Sequence, residues 1–188
     1  MLTDDQRRRL VDVARRSVAA RVSGSHLTLE GPIDLPPASG VFVTLKLGGR
    51  LRGCLGTVEW LEDLASEVAR CAGDAASVDP RFPAVTTNEL VDVTLEISVL
   101  GPLERIDPQL LHLRHLPGAH GPMTIGVHGL VVERGRHRGL LLPQVAAERQ
   151  WSPEQFLRQT CIKASLAPDA WERDAMVYRF TADVFGET

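Results

Sequence analysis

The sequence has no apolar run close to the roughly 20 residues that a helix needs to cross a bilayer. Its first residues, Met1–Asp5, include two acidic side chains and lead into no apolar segment, which is not typical of a signal peptide. It has only three cysteines, an odd number that does not suit a disulfide scaffold and fits a reducing compartment. We therefore expect a cytoplasmic protein that does not span a membrane.

An excess of positive charge is also missing. The formal net charge is −3 and the pI is near 6.1, so no general basic field is present to attract nucleic acid. Lysine is nearly absent, because Lys46 and Lys163 are the only two among 21 basic residues. Arginines cluster at 7–9 and 134–138, where acidic neighbours and net charge favour a solvated helix face and an exposed turn. These features argue against a nucleic-acid partner.

Several motifs of known chemistry are absent. The chain has no GxGxxG dinucleotide fingerprint, no HExxH, no CxxC pair and no GxSxG. The glycines from Gly48 to Gly53 have the spacing of a phosphate loop, but Cys54 stands where that loop needs lysine. The cysteines at 54, 71 and 161 are too widely spaced for a recognisable zinc cluster. We predict no metal and no cofactor, and leave open a site of cysteines and histidines that folding brings together.

What is present suits an ordinary globular core, since 44% of the 188 residues are hydrophobic and 24% are charged. Hydrophobic periodicity and turn residues predict the secondary structure. In chain order it comprises a helix over 3–22, strands over 41–47 and 50–57, a helix over 61–76, strands over 93–99, 123–127, 130–133 and 139–142, helices over 143–149 and 153–165, and a strand over 178–185. Strands and helices mix without a regular βαβ repeat, which predicts an α+β fold with a mainly antiparallel sheet.

The most unusual segment is Leu51–Thr57, in which Gly53 and Gly56 flank Cys54. Glycine weakens a strand, so this pair indicates a bulge or the close approach of a ligand to the backbone. Nearby backbone N–H groups and the Arg52 guanidinium would favour the thiolate and could hold an anion. The alternative is a small buried cysteine at a tight strand crossing.

A titratable residue lies between two glycines further along the chain, in the segment Gly126-Val127-His128-Gly129. A histidine close to a thiol can act as its general base, which makes His128 the candidate base for Cys54. The alternative is a histidine at a hairpin turn.

Two more segments carry candidate binding residues. Asp79 and Arg81 lie in the proline-stiffened loop 79–83, where they could pair with each other or present charges to a ligand. Cys161 and Lys163 lie near the end of a predicted helix. Lys163 could supply a binding charge or could stabilise the negative end of the helix dipole.

Six segments occur in an order that resembles the AMMECR-type domain family. They are Arg52-Gly53-Cys54-Leu55-Gly56, Asp79-Pro80-Arg81-Phe82-Pro83, Leu95–Leu100, Ile125–Gly129, Leu141–Ala146 and Cys161-Ile162-Lys163-Ala164. The resemblance covers nearly the whole chain, so we treat residues 1–188 as a single domain. Leu55 and Ser165 depart from the family, which usually has isoleucine and glycine at these positions.

The resemblance implies an α+β fold with two subdomains, the larger carrying the Cys54 motif, and a cleft where the shared motifs converge. It also implies two partners, a Memo-type protein and a radical S-adenosylmethionine protein, because bacterial relatives are encoded beside them. It implies no reaction, since fold and family do not fix function. Three hypotheses follow: a thiol-dependent enzyme or carrier using Cys54, a non-catalytic adaptor or ligand-binding partner, and a nucleic-acid-binding regulator.

Overall fold

The computed structural model describes residues 2–29, 31, 33–59, 61, 63–113 and 122–187. The helices are α1 (Asp4–Ser23), α2 (Leu64–Ser77), α3 (Pro143–Glu148) and α4 (Pro153–Lys163), with short 3₁₀ turns at Thr87–Glu89, Pro108–Leu113 and Ala170–Glu172. The strands are β1 (Gly40–Leu47), β2 (Arg50–Thr57), β3 (Val93–Leu100), β4 (Glu104–Ile106), β5 (His128–Arg134), β6 (His137–Leu141) and β7 (Met176–Gly186). None of the helices in these ranges has the length and apolar character that a membrane crossing requires.

The chain divides into two compact units, the first formed by residues 1–101 with 183–188 and the second by residues 102–182. In the first unit, β1 pairs antiparallel with β2 on one side and β3 on the other. Helices α1 and α2 pack together, and α2 packs on β1 and β2. Alternation along β1 and β3 buries one face of the sheet, as at Val43 and Ile97, and leaves polar side chains on the other.

The second unit has strands in the order β6-β5-β7-β4, with every one of these pairs antiparallel. Helix α4 packs on β5 and β6 and places Phe156 and Leu157 in the core with Leu130. The end of α4 approaches β6 closely at Gly139, where a Cβ would lie 2.3 Å from the Ala164 nitrogen. Both units therefore combine antiparallel strands with packed helices, and the predicted α+β class is confirmed.

Sequence signals at helix and hairpin ends explain most boundaries. Thr3 caps α1 in a reciprocal capping box with Gln6, and Ser152 caps α4 in the same way. Gly48 and Gly49 both have positive φ, as a two-residue hairpin turn requires, and the predicted hairpin is confirmed.

Three predictions differ from the structure by more than two residues at an element's end. Helix α2 begins at Leu64 rather than at 61, because Asp63 caps it by accepting the Ser66 N–H at 3.1 Å. The predicted strand over 123–127 is wrong, because these residues form a turn in which Gly126 has a φ of 81°. Strand β4 was not predicted, since three residues carry too little alternation. Residues 114–121, where no helix or strand is predicted, lie outside the described part of the chain.

Two helices end in a Schellman motif with a residue other than glycine in the left-handed position. At the end of α4, Ser165 has a φ of 58° and donates its N–H to Ile162, while Leu166 donates to Cys161. Gln150 has a φ of 54° and holds the same position after α3. Left-handed backbone favours glycine at this position. This geometry gives a physical reason for the glycine that the family resemblance implies at position 165.

We expect Ser165→Gly to raise the free energy of unfolding by about 1 kcal/mol, since glycine adopts a positive φ without a steric cost. Gln150→Gly should act similarly. The measurement is urea unfolding of each variant. Ser152→Gly is the control at a cap with negative φ, where stability should fall by a few tenths of a kcal/mol. A loss of stability in Ser165→Gly would contradict the assignment of strain to this position.

Candidate functional site

Cys54 lies on the polar face of the first unit's sheet. Its neighbours Gly53 and Leu55 face α2 and the apolar core, so alternation directs Cys54 to the opposite face. The register places Cys54 opposite Thr44, whose hydroxyl Oγ1 donates to Cys54 Sγ at 3.3 Å. The thiol is half-buried rather than enclosed. The arrangement therefore presents a hydrogen-bonded thiol on a polar surface.

The loop that carries Asp79 and Arg81 binds the backbone of Cys54 directly. The Cys54 N–H donates to Asp79 Oδ2 at 2.9 Å, and the Cys54 carbonyl accepts from Arg81 Nη2 at 3.1 Å. Among the described residues β2 pairs with β1 on one edge, and these two bonds take the place of those that a further strand would make to the other edge. Asp79 and Arg81 also pair with each other, at 2.7 Å between Oδ2 and Nη2.

The two charges of this pair differ in their exposure. The Asp79 side chain is 1% exposed, whereas that of Arg81 is 54% exposed. The Arg81 hydrogen bond holds the pKa of Asp79 far below its usual range, with backbone N–H groups of Cys54 and Arg81 acting in the same direction. Asp79 is therefore an ionised carboxylate held by hydrogen bonds from two residues, Cys54 and Arg81. The Arg81 guanidinium lies over the Phe82 ring, 5.5 Å from its centroid.

Arg52 clamps the following loop instead of facing open solvent. Its Nε and Nη2 donate to the two Glu89 carboxylate oxygens at 2.8 and 3.0 Å. Its Nη1 donates to the Pro83 carbonyl at 2.7 Å and its Nη2 to that of Ala84 at 3.1 Å. The bond from Arg52 lowers the pKa of Glu89 to about 2. Anion binding by Arg52 stays a prediction. A bound anion would compete with Glu89 and the two carbonyls for the guanidinium N–H groups.

Packing accounts for both glycines beside the cysteine. A Cβ at Gly53 would lie 2.1 Å from the backbone oxygen of Ala75 in α2. A Cβ at Gly56 would lie 2.3 Å from the Val41 oxygen and 2.4 Å from the ring of Phe42. The close approach indicated by these glycines is therefore made by the protein itself, and a ligand contact at either one remains a prediction.

His128 lies in the second unit, at the start of β5. The Thr124 N–H donates to His128 Nδ1 at 2.9 Å and the His128 N–H returns to the Thr124 carbonyl at 3.0 Å. Because an amide N–H can only donate, Nδ1 is unprotonated and the neutral ring carries its proton on Nε2. The pKa of His128 is lowered mainly by burial and further by the nearby positive charge of Arg179. Its action as base for Cys54 stays a prediction.

Cys161 and Lys163 also belong to the second unit. Cys161 is fully buried and accepts the Leu166 N–H at its carbonyl in the cap of α4. Burial raises the pKa of its thiol. Lys163 is exposed in the last turn of the helix, where a cation stabilises the dipole. A binding role for either residue remains a prediction. Among the residues that the structure describes, no group of three His, Cys, Asp or Glu side chains is arranged to hold a metal ion.

The polar face holds residues that sequence reasoning missed. Thr44 lies between Cys54 on β2 and Glu96 on β3, and Lys46 Nζ binds Glu96 Oε2 at 2.7 Å. The scarcity of lysine singled out Lys163, yet it applies equally to Lys46. Alternation along β1 would have placed Thr44 and Lys46 on one face, but the pairing with Cys54 required the register.

Most arginines of the two clusters are paired with carboxylates. These pairs are Arg7 with Asp4 and Asp183, Arg8 with Asp5, Arg134 with Asp174, and Arg138 with Glu133. The carboxylates offset the positive charge that a phosphate backbone would need. This pairing is consistent with solvated surfaces at both clusters.

The fold and site together define a two-unit α+β protein with a half-buried thiol beside an anchored Asp-Pro-Arg loop. A family model described as AMMECR1 matches residues 11–185. A relative from Methanothermobacter thermautotrophicus is 44% identical, covering 99% of this chain and 96% of its own. One from Thermococcus onnurineus is 42% identical, covering 95% and 88%. The chain belongs to the AMMECR1 family, and the resemblance is confirmed.

A solved structure agrees with this assignment. The crystal structure of an uncharacterized protein from Pyrococcus horikoshii matches with a TM-score of 0.81 and 37% sequence identity. The match covers 99% of this chain and 93% of the solved chain. The family and the fold are therefore established together. The solved protein is described as uncharacterized, so the match indicates no activity.

Proposed function

We propose that this AMMECR1-family protein takes part in a cytoplasmic thiol-dependent modification of a protein or small molecule, with Cys54 as nucleophile or covalent attachment point. The observation that carries the proposal is the contrast between its three thiols. Cys54 is half-buried and accepts a hydrogen bond from Thr44, whereas Cys71 and Cys161 are buried. Burial raises the pKa of Cys71 to about 11, which leaves it almost wholly protonated at neutral pH.

The local geometry suits a nucleophile that must stay in place. The N–H and the carbonyl of Cys54 are both fixed by the Asp79 and Arg81 side chains, so the thiol is carried by an anchored strand edge. In the reaction, the thiol proton leaves to a base or to water. Sγ then forms a bond to an electrophilic carbon, whose leaving group departs with its bonding electron pair.

The proposed setting is a system with a Memo-type protein and a radical S-adenosylmethionine protein. Its support is family membership alone, since bacterial relatives of the family are encoded beside such proteins. In this setting one partner would generate or present the electrophile that Cys54 attacks.

At pH 8 we expect iodoacetamide to modify Cys54 at least about tenfold faster than Cys71 or Cys161, because a buried, protonated thiol reacts slowly. Peptide mass spectrometry measures the three rates in one sample. Thr44→Val should slow Cys54 about threefold, since the hydroxyl no longer stabilises negative charge on sulfur. If His128 is the base for Cys54, His128→Ala should slow the modification of Cys54 in the same assay.

The matched control is Thr94→Val, which changes a threonine on the neighbouring strand β3 that lies opposite Lys46 rather than Cys54. It should leave the Cys54 rate unchanged. A Cys54 rate no higher than that of Cys71 would overturn the proposal.

A second candidate function is a non-catalytic adaptor. The observation that favours it is that the Cys54 N–H and the Arg52 guanidinium already have protein partners, so they are not available to a reaction intermediate without rearrangement. An adaptor would form a stable complex with the Memo-type or radical protein under reducing conditions. Cys54→Ala would then bind as tightly as the wild type and also retain function in cells.

A further inference from the structure

Arg81 differs from the other arginine of the site in having one part of its guanidinium uncommitted. Its Nε and Nη2 bind Asp79, and Nη2 also binds the Cys54 carbonyl. Within the described ranges of the chain, Nη1 has no hydrogen-bond partner. The Arg81 side chain is 54% exposed, whereas that of Arg52 is 12% exposed. Arg81 therefore retains two N–H donors for a molecule from solution.

The open donors lie beside the nucleophile of the proposed function. Arg81 Nη2 is 3.1 Å from the carbonyl oxygen of Cys54 itself. The pKa of Arg81 is raised chiefly by its hydrogen bond to Asp79, so the group stays a cation. A group bound at Nη1 would consequently lie beside the residue that carries the thiol.

The Asp79 carboxylate does not cancel the charge that Arg81 presents to solvent. Asp79 is buried, and both of its oxygens accept hydrogen bonds, from the Cys54 N–H and from Arg81. Its negative charge is thus buried, while about half of the Arg81 side chain is exposed to solvent. A half-exposed guanidinium of this kind binds oxyanions by charge-assisted hydrogen bonds.

The guanidinium is also held before any ligand arrives. Two bonds to Asp79 fix its plane, the Phe82 ring lies against it, and Pro80 and Pro83 restrict the loop backbone. A donor that is already ordered loses little freedom on binding, which favours its use in recognition.

We propose that Arg81 Nη1 anchors an oxyanion, a carboxylate or a phosphate, carried by the molecule that reacts with Cys54. This inference rests on the proposed function and deepens it, since it assigns the substrate class as anionic near its electrophilic centre. Sγ forms its bond to the electrophilic carbon while Arg81 holds the neighbouring oxyanion, and the leaving group departs with the electron pair.

The test compares two alkylating probes of similar size and different charge. Iodoacetate carries a carboxylate beside the carbon that Sγ attacks, iodoacetamide is neutral, and each releases iodide as the S–C bond forms. The measured quantity is the rate of Cys54 modification by iodoacetate divided by its rate with iodoacetamide. This ratio is then divided by the same ratio for free cysteine. We expect Arg81→Gln to lower this ratio about fivefold, because the attraction between unit charges a few ångströms apart is lost.

Two further variants separate the anchor from general charge and from loop damage. Arg50→Gln removes a positive charge from an exposed arginine on β2, the strand that carries Cys54. It should leave the ratio within about twofold of the wild-type value. Arg81→Lys keeps the charge without the planar donors and should give an intermediate ratio. Inorganic phosphate should slow iodoacetate more than iodoacetamide in the wild type, and less so in Arg81→Gln.

The outcomes distinguish this inference from the proposed function. If Cys54 reacts readily with iodoacetamide but Arg81→Gln leaves the ratio unchanged, the anchor is wrong and the nucleophile survives. If Arg50→Gln lowers the ratio as much as Arg81→Gln, general charge explains the preference and the anchor is again overturned. If iodoacetamide does not modify Cys54 in the wild type, the proposed function and this inference fail together.

Discussion

Gly53→Ala is expected to lower the free energy of unfolding by about 3 kcal/mol or more. The added Cβ would lie 2.1 Å from the Ala75 oxygen, a backbone atom of α2 that no side-chain rotation can move away. Either α2 or β2 must shift, and both contribute to the core of the first unit. For a chain of this length, the corresponding fall in Tm is about 6 to 12 °C. Thermal and urea unfolding measure the effect.

Gly73→Ala provides the matched control, because Gly73 lies in α2 itself. The atoms nearest to a Cβ there belong to side chains rather than to backbone, with Arg21 Nε and Ser17 Oγ both at 3.2 Å. Alanine also gains about 1 kcal/mol of helix propensity over glycine, so the net change should stay within about 1 kcal/mol. Equal losses in the two variants would show that contact with the Ala75 backbone does not govern the cost at position 53.

Local patterns predicted most of the fold because each depends on residues that are neighbours in the chain. Alternation from Val93 to Val99 marks β3, Thr3 marks the start of α1, and Pro153 marks the first turn of α4. The strand predicted over 123–127 failed because its apolar residues belong to a turn. There the Thr124 N–H is taken by His128 Nδ1, a side-chain contact that periodicity does not contain.

The site was predictable only in part, since its contacts join distant segments. Sequence reasoning singled out Cys54, Asp79 and Arg81, and the structure brings these three together. It could not show that Arg52 is occupied by Glu89, a contact across 37 positions of the chain. Register and tertiary contacts carry this information, and one sequence read alone does not supply them.

Asp79→Asn is expected to lower the free energy of unfolding by about 2 to 3 kcal/mol at pH 7, because it removes a charge that accepts hydrogen bonds from Cys54 and Arg81. About half of the Arg81 side chain is exposed to water, so screening reduces the contribution of the ion pair. The amide also introduces an N–H₂ group beside donors that need an acceptor. Urea unfolding across a range of pH measures the loss.

The pH dependence gives the sharper test of this pair. The pKa of Asp79 is depressed in the folded chain, so its stabilisation is fully present above the unfolded value of about 3.9 and is lost as the pH falls through the lower, folded value. The difference between wild type and Asp79→Asn should therefore be constant from pH 7 to about 5 and shrink as the pH falls below about 4.

An exposed aspartate serves as the control for this acid dependence. Asp34 is exposed on the surface of the first unit, and Asp34→Asn should change the free energy of unfolding by no more than about 0.5 kcal/mol. A difference between Asp79→Asn and wild type that stays constant down to pH 2.5 would contradict a charged Asp79 as the source of the stability. In that case the hydrogen bonds to the Cys54 edge would hold the loop without the ion pair.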